Sequence, residues 1–124
     1  MKKFKLILSA FANAGRGIKT CFQSERNFRI QIILFVLAVS FGLFFGLTNT
    51  EWCLILIVSG AVFAGELFNT ALEKLCDFVE PKWDERIKQI KDVSAGANLI
   101  LSLVALAIGV IIFGKILYYF FTNL

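Results

Sequence analysis

The chain has 124 residues, 58% of them hydrophobic, with 14 Phe, a single Pro and a formal net charge of +4. A soluble domain of this size buries only about two-thirds of its unfolded surface, too little to hide so much apolar side chain, so residues 1–124 read as one membrane domain. Histidine is absent, which excludes Ser-His triads, histidine metal sites and histidine proton relays. Cys21, Cys53 and Cys76 are widely spaced with no CxxC pair, so they read as free packing thiols rather than as a disulfide framework or a zinc site.

Residues 1–29 superficially resemble a secretion signal, with Lys2 and Lys3 ahead of Leu6, Ile7 and Leu8 and a small-residue step at Ala12-Asn13-Ala14. Lys5 interrupts that pattern and its apolar run is very short. An amphipathic helix over about 4–28 fits better: Phe4, Leu8, Phe11, Gly15, Ile18 and Phe22 recur at steps of four and three on one face. Asn13, Arg16, Lys19, Gln23 and Arg26 take the other side. Such a helix lies in the interface plane with its apolar face toward the bilayer.

Three spans follow, over about 30–48, 52–75 and 93–119. Ile30 to Thr50 carries no charge, and its apolar part approaches the ~20 residues needed to cross ~30 Å of hydrocarbon. The second run opens at Trp52, continues through Glu66-Leu67-Phe68-Asn69-Thr70-Ala71-Leu72-Glu73, and is ended by Pro81. The third is uncharged from Val93 to Gly114, with Tyr118 and Tyr119 as interfacial anchors, and Trp83 to Asp92 reads as a short surface helix leading into it. Six glycines in these runs (Gly42, Gly46, Gly60, Gly65, Gly96, Gly109) suit close helix packing. The fold class is therefore all-α and integral to the membrane: an N-terminal amphipathic surface helix plus three transmembrane helices.

Lys and Arg set the orientation. Seven precede the first span, five lie from Lys74 to Lys91, only Lys115 follows the third, and the link Thr48-Asn49-Thr50-Glu51 has none. The positive-inside rule places the N-terminus and the 74–92 segment in the cytoplasm. No basic face interleaved with aromatics stands clear of the membrane-facing segments, so nucleic acid is not an expected partner.

Acids inside a membrane are costly, by roughly 2.5–3.5 kcal/mol at the centre of a spanning helix, and each needs a reason. Glu66, Asn69, Glu73 and Asp77 stand at i, i+3, i+7 and i+11. That spacing gathers them within roughly 80° on one stripe of the second spanning helix. If Trp52 marks one boundary, Glu66 lies about 21 Å along and Glu73 about 31 Å along, toward the cytoplasmic edge. Glu25 extends the apolar stripe of the surface helix, and Asp92 stands at the mouth of the third span. Carboxylates so gathered repel unless cations lie between them, and an oxygen-only set suits a hard divalent ion, most simply Mg²⁺. Ion pairing with Lys74, Lys91, Arg26 and Arg29 is the plainer reading of these acids. It suits Asp77, one turn from Lys74, better than Glu66, which has no basic residue within a turn. A GxxxxGK[ST] phosphate loop is absent.

Glu66-Leu-Phe-Asn69-Thr-Ala-Leu-Glu73, then Asp77 and Lys91-Asp92, resembles the signature of the small prokaryotic membrane lipid kinases, the diacylglycerol and undecaprenol kinase family. Ala14-Gly15-Arg16-Gly17-Ile18 and Glu25-Arg26-Asn27-Phe28 resemble its N-terminal blocks, so the likeness covers essentially the whole chain. The resemblance implies a homotrimer in the bacterial plasma membrane, with active sites shared between subunits at the cytoplasmic face. It implies ATP as phosphoryl donor and a lipid alcohol as acceptor. Glu66 would be the general base on the lipid hydroxyl, and Glu25 and Glu73 would hold Mg²⁺ with the nucleotide. Arg16, Asn69, Lys91 and Asp92 would place ATP, and Asn27 and Arg29, with Glu66, would bind the lipid. Glu80-Pro81-Lys82-Trp83-Asp84 departs from the usual loop of the family, so no base-reading residue is assigned there. Val93-Ser94-Ala95-Gly96-Ala97 and both N-terminal blocks resemble the Gram-positive branch, which favours undecaprenol over diacylglycerol.

Two readings from other classes compete: a small proton-coupled exporter carrying its proton on Glu66, and a purely structural or pore-forming membrane peptide. The first expects its carboxylate near the midplane beside a water-filled path. The second gives Glu66 no task.

Overall fold

A computed structural model describes all 124 residues as four helices and no strands: α1 (Lys2–Ser24), α2 (Arg26–Phe45), α3 (Asn49–Val79) and α4 (Glu85–Thr122). The last three are long and apolar enough to cross a membrane. Only 9 of the 124 residues are buried within the chain. The apolar side chains exposed along α2, α3 and α4 must therefore be covered by lipid tails or by other chains.

The surface helix ends four residues earlier than the periodicity suggests. Glu25 is extended (φ −115°, ψ 111°), serving as the last cap of α1 and the first of α2. Its N–H still bonds the Cys21 carbonyl at 2.8 Å, closing α1 before the chain turns. Arg29 fixes the corner by donating from Nη1 to the carbonyls of Phe22 (2.7 Å) and Gln23 (3.0 Å), two of the orphan acceptors at the end of α1. Residues 23–27, Gln-Ser-Glu-Arg-Asn, hold neither Pro nor Gly, so no breaker residue in the sequence reports the bend.

At the far end of α2, Gly46 adopts φ +80°, open to glycine at little cost, and its N–H caps on Gly42. Thr48 and Glu51 then form a reciprocal capping box that starts α3. Glu51 also reaches Lys115 in the last turns of α4 (4.0 Å), so the one basic residue in the C-terminal part of that helix has an acidic partner.

The expected break between a surface helix over 83–92 and the third span is absent. Trp83 lies outside any helix, and α4 runs without interruption from Glu85 to Thr122. Asp84 caps it by accepting from the Arg86 N–H at 2.8 Å. No proline follows Pro81, and Gly96 alone does not stop a helix. At 1.5 Å per residue α4 is about 57 Å long, well beyond a ~30 Å hydrocarbon layer. Its first turns therefore project from the membrane.

The most extensive pairing is α3 against α4, with α2 and α1 laid on α3. Gly65 permits the α3–α4 approach: a Cβ there would stand 2.6 Å from Leu101 Cδ1 and 2.7 Å from Asn98 Oδ1. Gly42 similarly admits Leu47 and Trp52 at the α2–α3 turn, whereas Gly60, Gly96 and Gly109 face open space in the single chain. Phe63 joins α3 to α2 through edge contacts with Phe28 (5.8 Å) and Phe35 (5.4 Å). Cys21, 1% exposed, meets Thr70 Oγ1 at 3.4 Å and docks the end of α1 on α3. Burial pushes the Cys21 thiol up, keeping it neutral.

Two outcomes follow. Gly65→Val overpacks the α3–α4 seam and should lower stability by about 1–3 kcal/mol, read as a lower melting temperature in detergent. Hydrogen bonds from Arg86 hold the Asp84 carboxyl down from 3.8 to about 2. A folded value below the unfolded one stabilises above the unfolded value and is lost as pH falls toward 2. A titration of the Asp84 carboxyl by NMR should find its midpoint near 2, and a midpoint at 3.8 would remove the cap.

Candidate active site

The buried face of α3 reads Ile55, Val62, Glu66, Thr70, changing from apolar to polar along one stripe. Glu66 is 5% exposed, a carboxylate enclosed by its own chain. Beside it lies a cavity of about 420 Å³ lined by residues of α2, α3 and α4 and by Glu25 at the α1–α2 corner. From the sequence-derived set the cavity gathers Glu25, Asn27, Glu66, Asn69 and Glu73. The three carboxylates have no basic side chain among the residues that line the cavity with them.

Hydrogen bonds order these groups. Gln31 donates from Nε2 to Glu66 Oε1 at 3.1 Å, and Asn69 donates from Nδ2 to Glu73 Oε1 at 3.3 Å. Each amide thus satisfies a carboxylate with its nitrogen, while its oxygen, Gln31 Oε1 or Asn69 Oδ1, is buried without a partner. Unpaired buried acceptors cost free energy, so both amides hold their carboxylates at some expense.

Gln31, Asn98 and Ser102 line the same cavity, and the sequence reading missed them. The available signal was polarity inside otherwise apolar runs: Gln31 alone early in α2, and Asn98 and Ser102 at i, i+4 on α4. Gln31 and Ser102 also border an apolar groove of about 580 Å³, which extends past Phe35, Val62 and Ile108 to Leu117. The groove and the polar cavity therefore meet beside Glu66.

The remaining sequence-derived residues lie outside the cavity. Arg16 bonds Asn13 on α1, and Arg29 caps α1. Lys91 donates to Asp77 Oδ1 at 2.6 Å, so Asp77 pairs across to α4 and not with Lys74 on its own helix. The i−3 spacing put Lys74 within reach, but the α3–α4 packing supplies the closer partner. Asp92 accepts from Lys88 at 2.8 Å, one turn earlier on α4. Both pairs are solvent-exposed, a setting in which such pairs contribute about 0–1 kcal/mol.

No three carboxylates or thiols approach closely enough to form a metal site by themselves. A small hard cation does not require that: Mg²⁺ takes one or two carboxylates and completes its shell with water and substrate phosphates. Glu25, Glu73 and Asn69, which line the cavity together, fit that donor set.

The chain is similar to known proteins over most of its length. The sequence profile described as prokaryotic diacylglycerol kinase matches residues 12–113. The undecaprenol kinase of Bacillus subtilis (strain 168) is 34% identical over 104 residues, covering 84% of this chain and 85% of the relative. A diacylglycerol kinase of Synechocystis is 32% identical over 104 residues, covering 83% of this chain and 59% of that protein. A Helicobacter pylori diacylglycerol kinase is 27% identical over 99 residues, covering 80% and 77%.

Because the Asp77–Lys91 pair is exposed, Lys91→Ala should change the melting temperature by no more than corresponds to about 1 kcal/mol. A larger loss in thermal unfolding would make Lys91 a structural element of the α3–α4 seam.

Proposed function

The chain belongs to the prokaryotic diacylglycerol kinase family of membrane lipid kinases, and from that premise we propose that it phosphorylates undecaprenol with ATP at the cavity around Glu66. The observation that carries this reading is the meeting of an apolar groove with a cavity of three carboxylates beside a buried glutamate. A lipid alcohol held by its tail in the groove presents its hydroxyl at that junction. The undecaprenol assignment is supported by the Bacillus relative, alike over most of both chains.

Phosphoryl transfer demands positioning and charge neutralisation, with one acceptor for the hydroxyl proton. Glu66 takes that proton as the alcohol oxygen bonds to the γ-phosphorus of ATP. The bond from the γ-phosphorus to the bridging oxygen breaks, ADP leaves, and Glu66 returns the proton to water. Glu66 is suited to this because its burial withholds the water that would otherwise compete for the carboxylate. Glu25 and Glu73 hold Mg²⁺ with the nucleotide; the ion, when bound, neutralises charge on the phosphates and orients them. Without a cation, three carboxylates around one cavity repel one another.

Asn69 keeps Glu73 in place and helps position the nucleotide. Asn27, which lines the cavity, and Arg29 at the α1–α2 corner contribute to binding the lipid headgroup. Arg16, Lys91 and Asp92 serve the nucleotide by leaving their exposed pairs, an exchange that costs little for pairs of that kind. The active face is cytoplasmic, in keeping with the bias of Lys and Arg toward that end of the helices. The chain assembles as a homotrimer whose neighbours cover the apolar faces of α2–α4 and share the sites.

The test is transfer of labelled γ-phosphate from ATP in detergent with Mg²⁺, with undecaprenol and diacylglycerol in parallel. Undecaprenol should be labelled preferentially, and Glu66→Gln should reduce turnover by about 10²–10⁴-fold while the protein stays folded. Preferential labelling of diacylglycerol would keep the chemistry and change the substrate. Glu25→Gln and Glu73→Gln should each raise the Mg²⁺ concentration needed for half-maximal rate. An unchanged Mg²⁺ titration would remove them as ligands.

A further inference from the structure

Gln31 is the one side chain that touches Glu66, lines the polar cavity and also borders the apolar groove. Its position early in α2, in a stretch otherwise apolar from Ile30 to Val39, is expensive unless it is used. A residue that served only to satisfy Glu66 would present its nitrogen and leave its oxygen to water or a neighbour. Here Oε1 is buried and has no partner.

The geometry assigns Gln31 as the positioning residue for the base: its amide nitrogen engages Glu66 Oε1, which leaves Glu66 Oε2 to receive the proton of the lipid hydroxyl. The inference rests on the lipid-kinase reading above. A carboxylate on a free side chain samples several orientations, only some of which aim an oxygen at the alcohol. The bond from Gln31 restricts that rotation and fixes which oxygen is occupied, leaving the other oxygen of a carboxylate that lines the cavity for the hydroxyl.

The experiment is the γ-phosphate transfer assay on the full-length protein with undecaprenol, run in H₂O and in D₂O. Gln31→Met keeps the length of the side chain and removes both polar atoms. Gln31→Glu keeps the shape but replaces the donor with an oxygen. Displacement of a reacting group by about 1 Å costs up to ~100-fold. Both variants should therefore lose about 10–100-fold in kcat, with the KM for ATP within about twofold of wild type and a larger solvent isotope effect, because proton transfer becomes rate-limiting. The exposed Gln89→Met serves as control and should behave as wild type. A kcat for Gln31→Met within about twofold of wild type overturns the assignment. So does a loss in which the KM for ATP rises in step and the isotope effect is unchanged, since that marks general damage. If Gln31→Met does not fold, Gln31→Glu decides by the same kcat and isotope criteria. Failure of the underlying reading is separable: the wild type would then label no lipid alcohol, or Glu66→Gln would remain fully active. Either result overturns the role of Gln31 along with that of Glu66.

Discussion

A carboxylate enclosed within helices that cross an apolar layer is the constraint around which this molecule is arranged. Glu66 cannot be solvated by the bilayer, and desolvating an unpaired carboxylate costs several kcal/mol. The chain meets that cost locally. The buried stripe of α3 turns polar at Glu66, Gln31 reaches over from α2 with an N–H, and Gly65 lets α4 come close enough to bring Asn98 and Ser102 to the same cavity. Each of these features is destabilising in an ordinary apolar helix. Together they make a small polar chamber with a defined opening.

The placement of the other helices follows from serving that chamber. The Cys21–Thr70 contact and the Arg29 cap dock the end of α1 on α3 and fix the sharp α1–α2 corner, and the corner carries Glu25 to the cavity wall. The Phe28–Phe63–Phe35 cluster anchors α2 on α3 one turn to either side of Gln31. At the opposite end, the Thr48–Glu51 capping box and the Glu51–Lys115 contact close the helices without placing a free charge in the apolar layer. The ion pairs in the 74–92 region are exposed and contribute little to stability, which leaves their lysines available to an anionic ligand.

The electrostatics of the cavity suit a reaction in which charge is supplied by the reactants. Three carboxylates without a lining cation form an unfavourable arrangement in isolation and a favourable one once a divalent ion and a polyphosphate enter. The amides of Gln31 and Asn69 each hold one carboxylate in place. Positioning, more than covalent participation, is what phosphoryl transfer requires of a protein. A rigid helical frame with a few well-held polar groups meets that requirement with no phosphate-binding loop.

The sequence by itself determined the membrane class, the three spanning helices, the surface helix and the stripe Glu66–Asn69–Glu73, because hydropathy and the 3.6-residue period act along one helix and are written in the order of residues. It also placed Glu25 with that stripe, through the apolar face of the helix before it. The extended corner at Glu25 escaped it, since no Pro or Gly between Phe22 and Phe28 marks the bend. So did the continuity of α4, which depends on an Asp84 cap and on the lack of a second breaker. Asp77 pairing with Lys91 in preference to Lys74, and the entry of Gln31, Asn98 and Ser102 into the site, were decided only by tertiary structure. These are contacts between helices, set by how closely α2 and α4 approach α3 at Phe63 and Gly65, and no periodicity within a single helix encodes that distance.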